Sequence, residues 1–254
     1  LDLTERLHLG LGARWTQDTK TGHVNRATFL GAGRTPLTGG PAAVPLVQNT
    51  LYTNKKDFND LSPRVALSYD FSDDITGYVS WSNGFKSGGF DMRGDASLTP
   101  DTVEGYDPEK VESLEAGLKG SAFDNRLLFS SAVFHNTYED QQVTTQVPAG
   151  ANVASFVDNV GQSTLYGAEF EGSLFLTDNL SANLAVGYLQ AEFDEFLRYN
   201  LALGVYEDIS DLVVLQNAPE WTGYFGVTWR GDVAGGELAI TPSISYRDDY
   251  SQFE

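Results

Sequence analysis

No cysteine occurs in the 254 residues, so neither disulfides nor thiolate metal sites hold the chain together, and small disulfide-stapled scaffolds are excluded. Long apolar runs are missing as well. Nowhere do the ~18 to 20 consecutive apolar residues of a spanning helix occur, so any membrane crossing has to be made by strands. Positive charge is scarce: 16 Lys and Arg stand against 35 Asp and Glu, a formal charge of −19. Such a chain repels phosphate backbones, and no nucleic-acid partner is expected. The three histidines, His8, His23 and His135, lie far apart and match no ligand spacing, so no metal site is read from them. "GAGRTP" from Gly31 lacks the third glycine and the following helix of a dinucleotide loop, and neither a P-loop lysine motif nor a nucleophile elbow is present. The expectation is a protein that is not an enzyme and carries no cofactor.

What the chain does have is alternation. In "EKVESLEAGLKG" (109–120), Leu114, Ala116 and Leu118 alternate with Ser113, Glu115, Gly117 and Lys119, although Val111, Leu114 and Leu118 also fit a helical period. The neighbours decide for a strand. The segment runs into a Phe123-Asp124-Asn125 turn with a second alternating run behind it, and Gly117 and Gly120 weaken a helix. The same cycle of short acidic or amide turn and alternating run recurs at Asp2, Phe71, Ala122 and Leu176, with a glycine version, "GDVAGGEL", from Gly231. The fold class expected is all-β: an antiparallel meander of about nine strands near 3–18, 60–71, 75–87, 109–121, 126–141, 161–176, 180–195, 221–231 and 236–250.

Connections alternate between tight turns and long segments near 19–57, 88–107, 142–158 and 196–219, which places all the long loops at one end. Rich in Gly, Pro, Asn and charge, they read as mobile, solvated excursions and as the place where a ligand first arrives. The polar face carries many small residues, such as Ser181, Asn183, Ala185 and Gly187, rather than the long charged residues of a face in bulk water. That suits the hydrated lumen of a membrane barrel. Leu7, Leu9, Leu11, Leu67, Phe170, Leu174, Leu184, Val186 and Ile240 are then expected to face lipid, and Arg14, Arg64, Glu169, Glu171 and Asn183 the lumen. Trp15, Tyr69, Trp81, Tyr138, Tyr188, Trp221, Trp229 and Tyr246 stand near strand ends, where amphipathic rings meet headgroups; the alternative is that aromatics simply favour strands. An acidic group, Glu192, Asp194, Glu195, Glu207, Asp208 and Asp211, could attract divalent cations near lipopolysaccharide, although an ordinary solvated loop explains it more simply.

The wording of the chain adds a resemblance. "LSPRVALSYDFSDDITGYVSWSNGFKSGGFD" (61–91), "YDPEKVESLEAGLKGSAFDNRLLFSSAVFHNTYEDQQ" (106–142), "STLYGAEFEGSLFLTDNLSANLAVGYLQAEF" (163–193) and "NAPEWTGYFGVTW" (217–229) resemble, in order and spacing, the barrel of TonB-dependent outer-membrane receptors, over Leu1 to about Tyr250. The resemblance implies an outer-membrane barrel of about 22 strands closed by an N-terminal plug. It also implies import of a siderophore, cobalamin, carbohydrate or similar scarce nutrient with energy relayed by TonB. The implied partners are outer-membrane lipid, lipopolysaccharide, the TonB complex reached through a plug, and a small ligand such as a ferric siderophore. The sequence departs from the pattern in starting at Leu1 with neither start methionine, leader nor plug, so the expectation is one partial barrel domain over 1–254, a fragment without its plug. Two other functions stay open, a passive porin-like barrel and a soluble carbohydrate-binding β-sandwich. Candidate ligand contacts are Lys86 and Arg93 in the glycine-rich strand exit "GFKSGGFDMR", with Tyr199 and Tyr206 in the last long loop. The loops carry no motif that names the substrate.

Overall fold

The computed structural model describes residues 1–30, 44–149, 152–200, 203 and 205–252. "GAGRTP" lies outside them, and so does the Tyr199 side chain. Eleven strands follow in order: β1 (Leu7–Leu30), β2 (Val44–Ser72), β3 (Ile75–Lys86), β4 (Glu109–Ala122), β5 (Leu127–Ala149), β6 (Asn152–Thr177), β7 (Leu180–Asn200), β8 (Val205–Asp208), β9 (Trp221–Val233), β10 (Gly236–Ile240) and β11 (Ser243–Arg247). Each main strand pairs antiparallel with the next, in the order β1-β2-β3-β4-β5-β6-β7-β9-β10. Residues 109 to 120 lie in β4, where alternation outweighs helix propensity because both edges find partners, β3 and β5.

Local chemistry explains the short turns. Phe123, Asp124 and Asn125 take φ of 56°, 55° and 63°, a left-handed run that Asp and Asn tolerate. Between β9 and β10, Ala234 and Gly235 both have positive φ (52° and 84°), as the two central residues of a type I′ hairpin require.

Strand length is where expectation and structure part. The segments read as loops near 19–57 and 142–158 are largely strand, so β1, β2, β5 and β6 run to 24, 29, 23 and 26 residues. Polar residues such as "TQDTKTGHVNR" hid them, because outside lipid neither face of a hairpin needs to be apolar. The last expected strand is interrupted at Thr241-Pro242, since proline has no N–H for the ladder, yet β10 and β11 hold one register on β9. With the short β8, which pairs only with β7, this turns about nine spans into eleven elements.

Register sorts the two faces. One row across the sheet reads Leu9, Leu67, Val79, Ala116, Val133, Ala168, Tyr188, Trp221, and the adjacent row reads His8, Ser68, Tyr78, Gly117, Ala132, Glu169, Gly187, Thr222, Arg247. The first face is apolar and uncovered: Val79, Val133 and Ile244 are 51%, 56% and 69% exposed. A sandwich would place a second sheet there, and among the described residues there is a single layer. The stretch Leu61 to Phe71 spans roughly 33 Å of strand at about 3.3 Å per residue, or about 25 Å of height at a tilt of ~40°, the depth of an apolar membrane band. Seven of the eight aromatics expected at the lipid boundary share this face. Tyr138 does not: its register partners Val111 and Ser163 put it on the polar face, one residue out of step with Thr137.

The buried apolar residues, among them Val24, Phe58, Val147, Ala154, Phe196 and Ile209, gather at the long-loop end rather than mid-sheet. Mid-sheet, no protein core covers the apolar face among the described residues, as a lipid-facing wall requires. Val133→Arg is therefore expected to cost about 2 to 4 kcal/mol if the site lies at mid-membrane. Ala132→Arg, one residue away and in register with Glu169, should cost far less. Urea unfolding of the two variants from phospholipid vesicles measures the difference, and equal costs would contradict the assignment of faces.

Candidate ligand-binding site at the long-loop end

A lipid crossing needs only ~9 to 11 residues of tilted strand, so β2, with 29 residues, projects well past the apolar band, whereas β3 and β4 have 12 and 14. The short central pair leaves a notch between the tall β1–β2 and β5–β6 hairpins. Residues 87–108, the connection between β3 and β4, fill it as a strap folded over the polar face. Its base is a two-residue antiparallel bridge: Gly89 N–H donates to Tyr106 O at 3.1 Å, and Tyr106 N–H to Gly89 O at 2.9 Å. Gly105 at the base has φ +72°, and a Cβ there would run into the Gly89 carbonyl and the Phe90 ring.

Side chains tie the strap down on both sides. From β1–β2, Lys20 Nζ donates to Gly88 O (2.7 Å), Asn54 Nδ2 to Val103 O (2.8 Å) and Thr50 Oγ1 to Gly94 O (3.1 Å), while Lys56 pairs with Asp107 at 2.8 Å. From β5–β6, Asn159 Nδ2 donates to Asp107 O (2.9 Å), and Val157 N–H to Asp91 Oδ2 (2.8 Å). The strap expected to be a mobile excursion is thus pinned, because its own backbone carbonyls accept from long polar side chains that the tall hairpins present.

Two carboxylates anchor it. Burial pushes the Asp91 carboxyl up, but hydrogen bonds from the Arg93 guanidinium and from the N–H groups of Arg93 and Val157 outweigh burial and hold it below the usual carboxylate range. Asp95 behaves alike: burial raises it, and Ser97, Arg26 and Asn49 together bring it below the usual value. A third, Asp208, is lowered by the N–H groups of Phe196 and Ser210, which it caps where β8 leaves β7.

Between the strap, the β5–β6 tip and β8 lies a cavity of about 520 Å³. Asp91, Asp101, Asp158, Tyr106, Tyr206 and Phe156 line it with several smaller residues. Of the expected contacts, Tyr206 lines this cavity, and Tyr199 pairs with it in register along the backbone. Arg93 stands at the cavity's edge, bound to Asp91 at 2.8 Å, and Lys86 lies apart at the end of β3, 3.4 Å from Glu109. The strap and β5–β6 carboxylates were not singled out in the sequence, although Asp91 could have been: two residues before Arg93, it accepts that residue's N–H at 2.9 Å in an Asx turn. The acidic residues of the last loop have separate roles, Asp194 accepting from Thr164 and Glu207 from Asn200. Among the described residues no three His, Asp or Glu converge on a metal position. His8 lies between Asp2 and Asp70, His23 on Thr53 and His135 against Tyr166.

A family model described as "TonB dependent receptor-like, beta-barrel" matches residues 1–253. The chain belongs to this receptor family. Over 132 residues, 52% of the chain, it is 29% identical to the metal-pseudopaline receptor CntO of Pseudomonas aeruginosa, and the match covers 17% of that protein. The ferric yersiniabactin uptake receptor FyuA of Yersinia pestis superposes with a TM-score of 0.71 at 16% identity, covering 96% of this chain and 32% of that one. The siderophore receptor PiuA of Acinetobacter baumannii gives 0.64 at 20% identity, over 97% and 32%. The chain therefore spans about a third of these solved receptors, and at such identities the likeness establishes the shared barrel fold.

Within this receptor barrel, Asp91→Ala leaves the Arg93 guanidinium and the half-buried Val157 N–H without their acceptor, which should weaken strap docking by about 1 to 3 kcal/mol. Faster amide exchange confined to residues 87–108 and the β5–β6 tip is the expected result. The same contacts set a pH dependence. Because Asp91 and Asp95 have depressed folded pKa values, their contribution is complete above about pH 4 and is lost as pH falls through those values. Amide protection of the strap, corrected for the intrinsic pH dependence of exchange and measured from pH 6 to pH 3, should fall only at the acid end.

Proposed function

We propose that this chain forms part of the wall of an outer-membrane importer that takes up a scarce metal as a chelate. In this reading a plug within the completed barrel receives energy from TonB, and the barrel sits among outer-membrane lipid and lipopolysaccharide. The observation that carries it is the pairing of two features on one sheet. The apolar face is uncovered over the depth of a membrane, and the polar face holds a pinned strap and a 520 Å³ cavity at its loop end. A lipid-facing wall with a ligand-sized recess on the other side is what a receptor barrel needs. The relatives, receptors for metal-pseudopaline and ferric yersiniabactin and the copper transporter OprC, support a metal or metal-chelate cargo. Lys86, Arg93, Tyr199 and Tyr206 belong to the proposed ligand-approach surface, Tyr206 closest to the recess.

A passive porin would share the strands but not the coupling. In the native bacterium under metal limitation, deleting the gene should abolish uptake of the radiolabelled cargo metal supplied in spent medium, and deleting TonB should do the same. Uptake that depends on the gene but survives loss of TonB would favour the porin.

A further inference from the structure

The charge of the cavity's lining points to the class of chelate it takes. Three aspartates, Asp91, Asp101 and Asp158, line it, and among the described residues lining it none is cationic. Three cations that flank the strap are engaged by carboxylates: Arg93 by Asp91 at 2.8 Å, Lys56 by Asp107 at 2.8 Å and Lys86, farther off at the end of β3, by Glu109 at 3.4 Å. Asp91 is neutralised by its arginine. Asp158 accepts only the neighbouring Asn159 N–H at 2.9 Å, and the Asp101 side chain makes no hydrogen bond or ion pair among the described residues. Two carboxylate charges therefore face the recess uncompensated. Beside them the lining includes apolar and aromatic residues, Phe156, Val147 and Leu98, of which Val147 is buried. Among the described residues no three acidic groups converge as ligands of a bare metal ion would. The recess suits a ligand whose metal is already wrapped, presenting an organic surface to Phe156 and no net negative charge to the aspartates.

We infer that this cavity selects a cationic or neutral metal chelate over a polyanionic one, with Asp101 and Asp158 as the specificity-determining residues. The inference rests on the importer reading above. It differs from it in naming the charge of the cargo, which the fold alone leaves open. A charge brought within about 6 Å of a carboxylate in a partly hydrated mouth changes affinity by roughly tenfold, in a direction set by its sign.

Three inert chromium(III) complexes of one coordination geometry serve as probes: the tris(ethylenediamine) trication, the neutral tris(acetylacetonate) and the tris(oxalate) trianion. They are titrated into the complete receptor in neutral detergent, followed by calorimetry. The trication should bind at least ~10-fold tighter than the trianion. Asp101→Asn with Asp158→Asn should shrink that ratio by roughly tenfold while leaving the neutral complex within about twofold of wild type. A control at the opposite end of the sheet, Asp73→Asn with Asp178→Asn, removes the same charge and should leave the ratio unchanged. A trianion bound as well as the trication, a ratio that survives in the Asp101/Asp158 variant or falls equally in the control, or the binding of none of the three complexes overturns the inference. If selectivity holds but the cells show no TonB-dependent uptake, the importer reading fails and the charge assignment stands.

Discussion

Backbone hydrogen bonding between chain neighbours, with side chains sent alternately to two unlike surroundings, is the constraint on which the structure depends. From β2 to β6 every strand finds both ladders in the strands before and after it in sequence, so no crossover or helix is needed. Because the side-chain period is two, the same ladder puts Leu9, Leu67, Val79 and Val133 on one face and His8, Ser68, Tyr78 and Ala132 on the other. A slip of one residue between any two strands would carry charges such as Glu169 and Glu171 to the apolar side. The register is strongly specified because over the apolar band one face is apolar and the other is not, even though neither is covered there by a second protein layer among the described residues.

Differences in strand length convert that uniform sheet into something with a site. A flat rim would offer only hairpin tips. Because β3 and β4 stop early while their neighbours continue, the tall hairpins hold up two polar walls, and the β3–β4 connection can reach both. Its glycines allow it to fold close to the wall, and Lys20, Asn54, Lys56 and Asn159 take up its backbone carbonyls. The strap then becomes a wall itself, and the recess behind it is set by side chains from four separate parts of the chain.

Charge follows the same division. The acidic excess of the chain is tolerable in a water-filled interior and at a solvated rim, and it is kept off the apolar face. Where carboxylates are buried, as at Asp91 and Asp95, each is answered by N–H groups and a guanidinium, as low-polarity surroundings demand. Where they border open space, as at Asp101, they remain unanswered and are available to a ligand.

Period-two alternation, the Asp and Asn turns and the absence of cysteine and of long apolar runs were enough to specify an antiparallel meander with lipid on one side, and the family phrasing between residues 61 and 229 agreed with it. Those features are local: they depend on residues two apart or on a four-residue turn. The upper halves of β1, β2, β5 and β6 escaped because "TQDTKTGHVNR" and its like pair through backbone atoms in water, where composition leaves no alternating trace. Tyr138 was misplaced because it was read by residue type: it lies in the unbroken register before the bulge marked by the positive φ of Asp140, and its position an even number of residues from Ala132 puts it on the polar face. Tyr206 could be suspected as an exposed loop aromatic. That it shares a recess with Asp101, Tyr106 and Asp158 depends on contacts spanning about a hundred residues of chain, and only the packing of the strap against both hairpins brings them together.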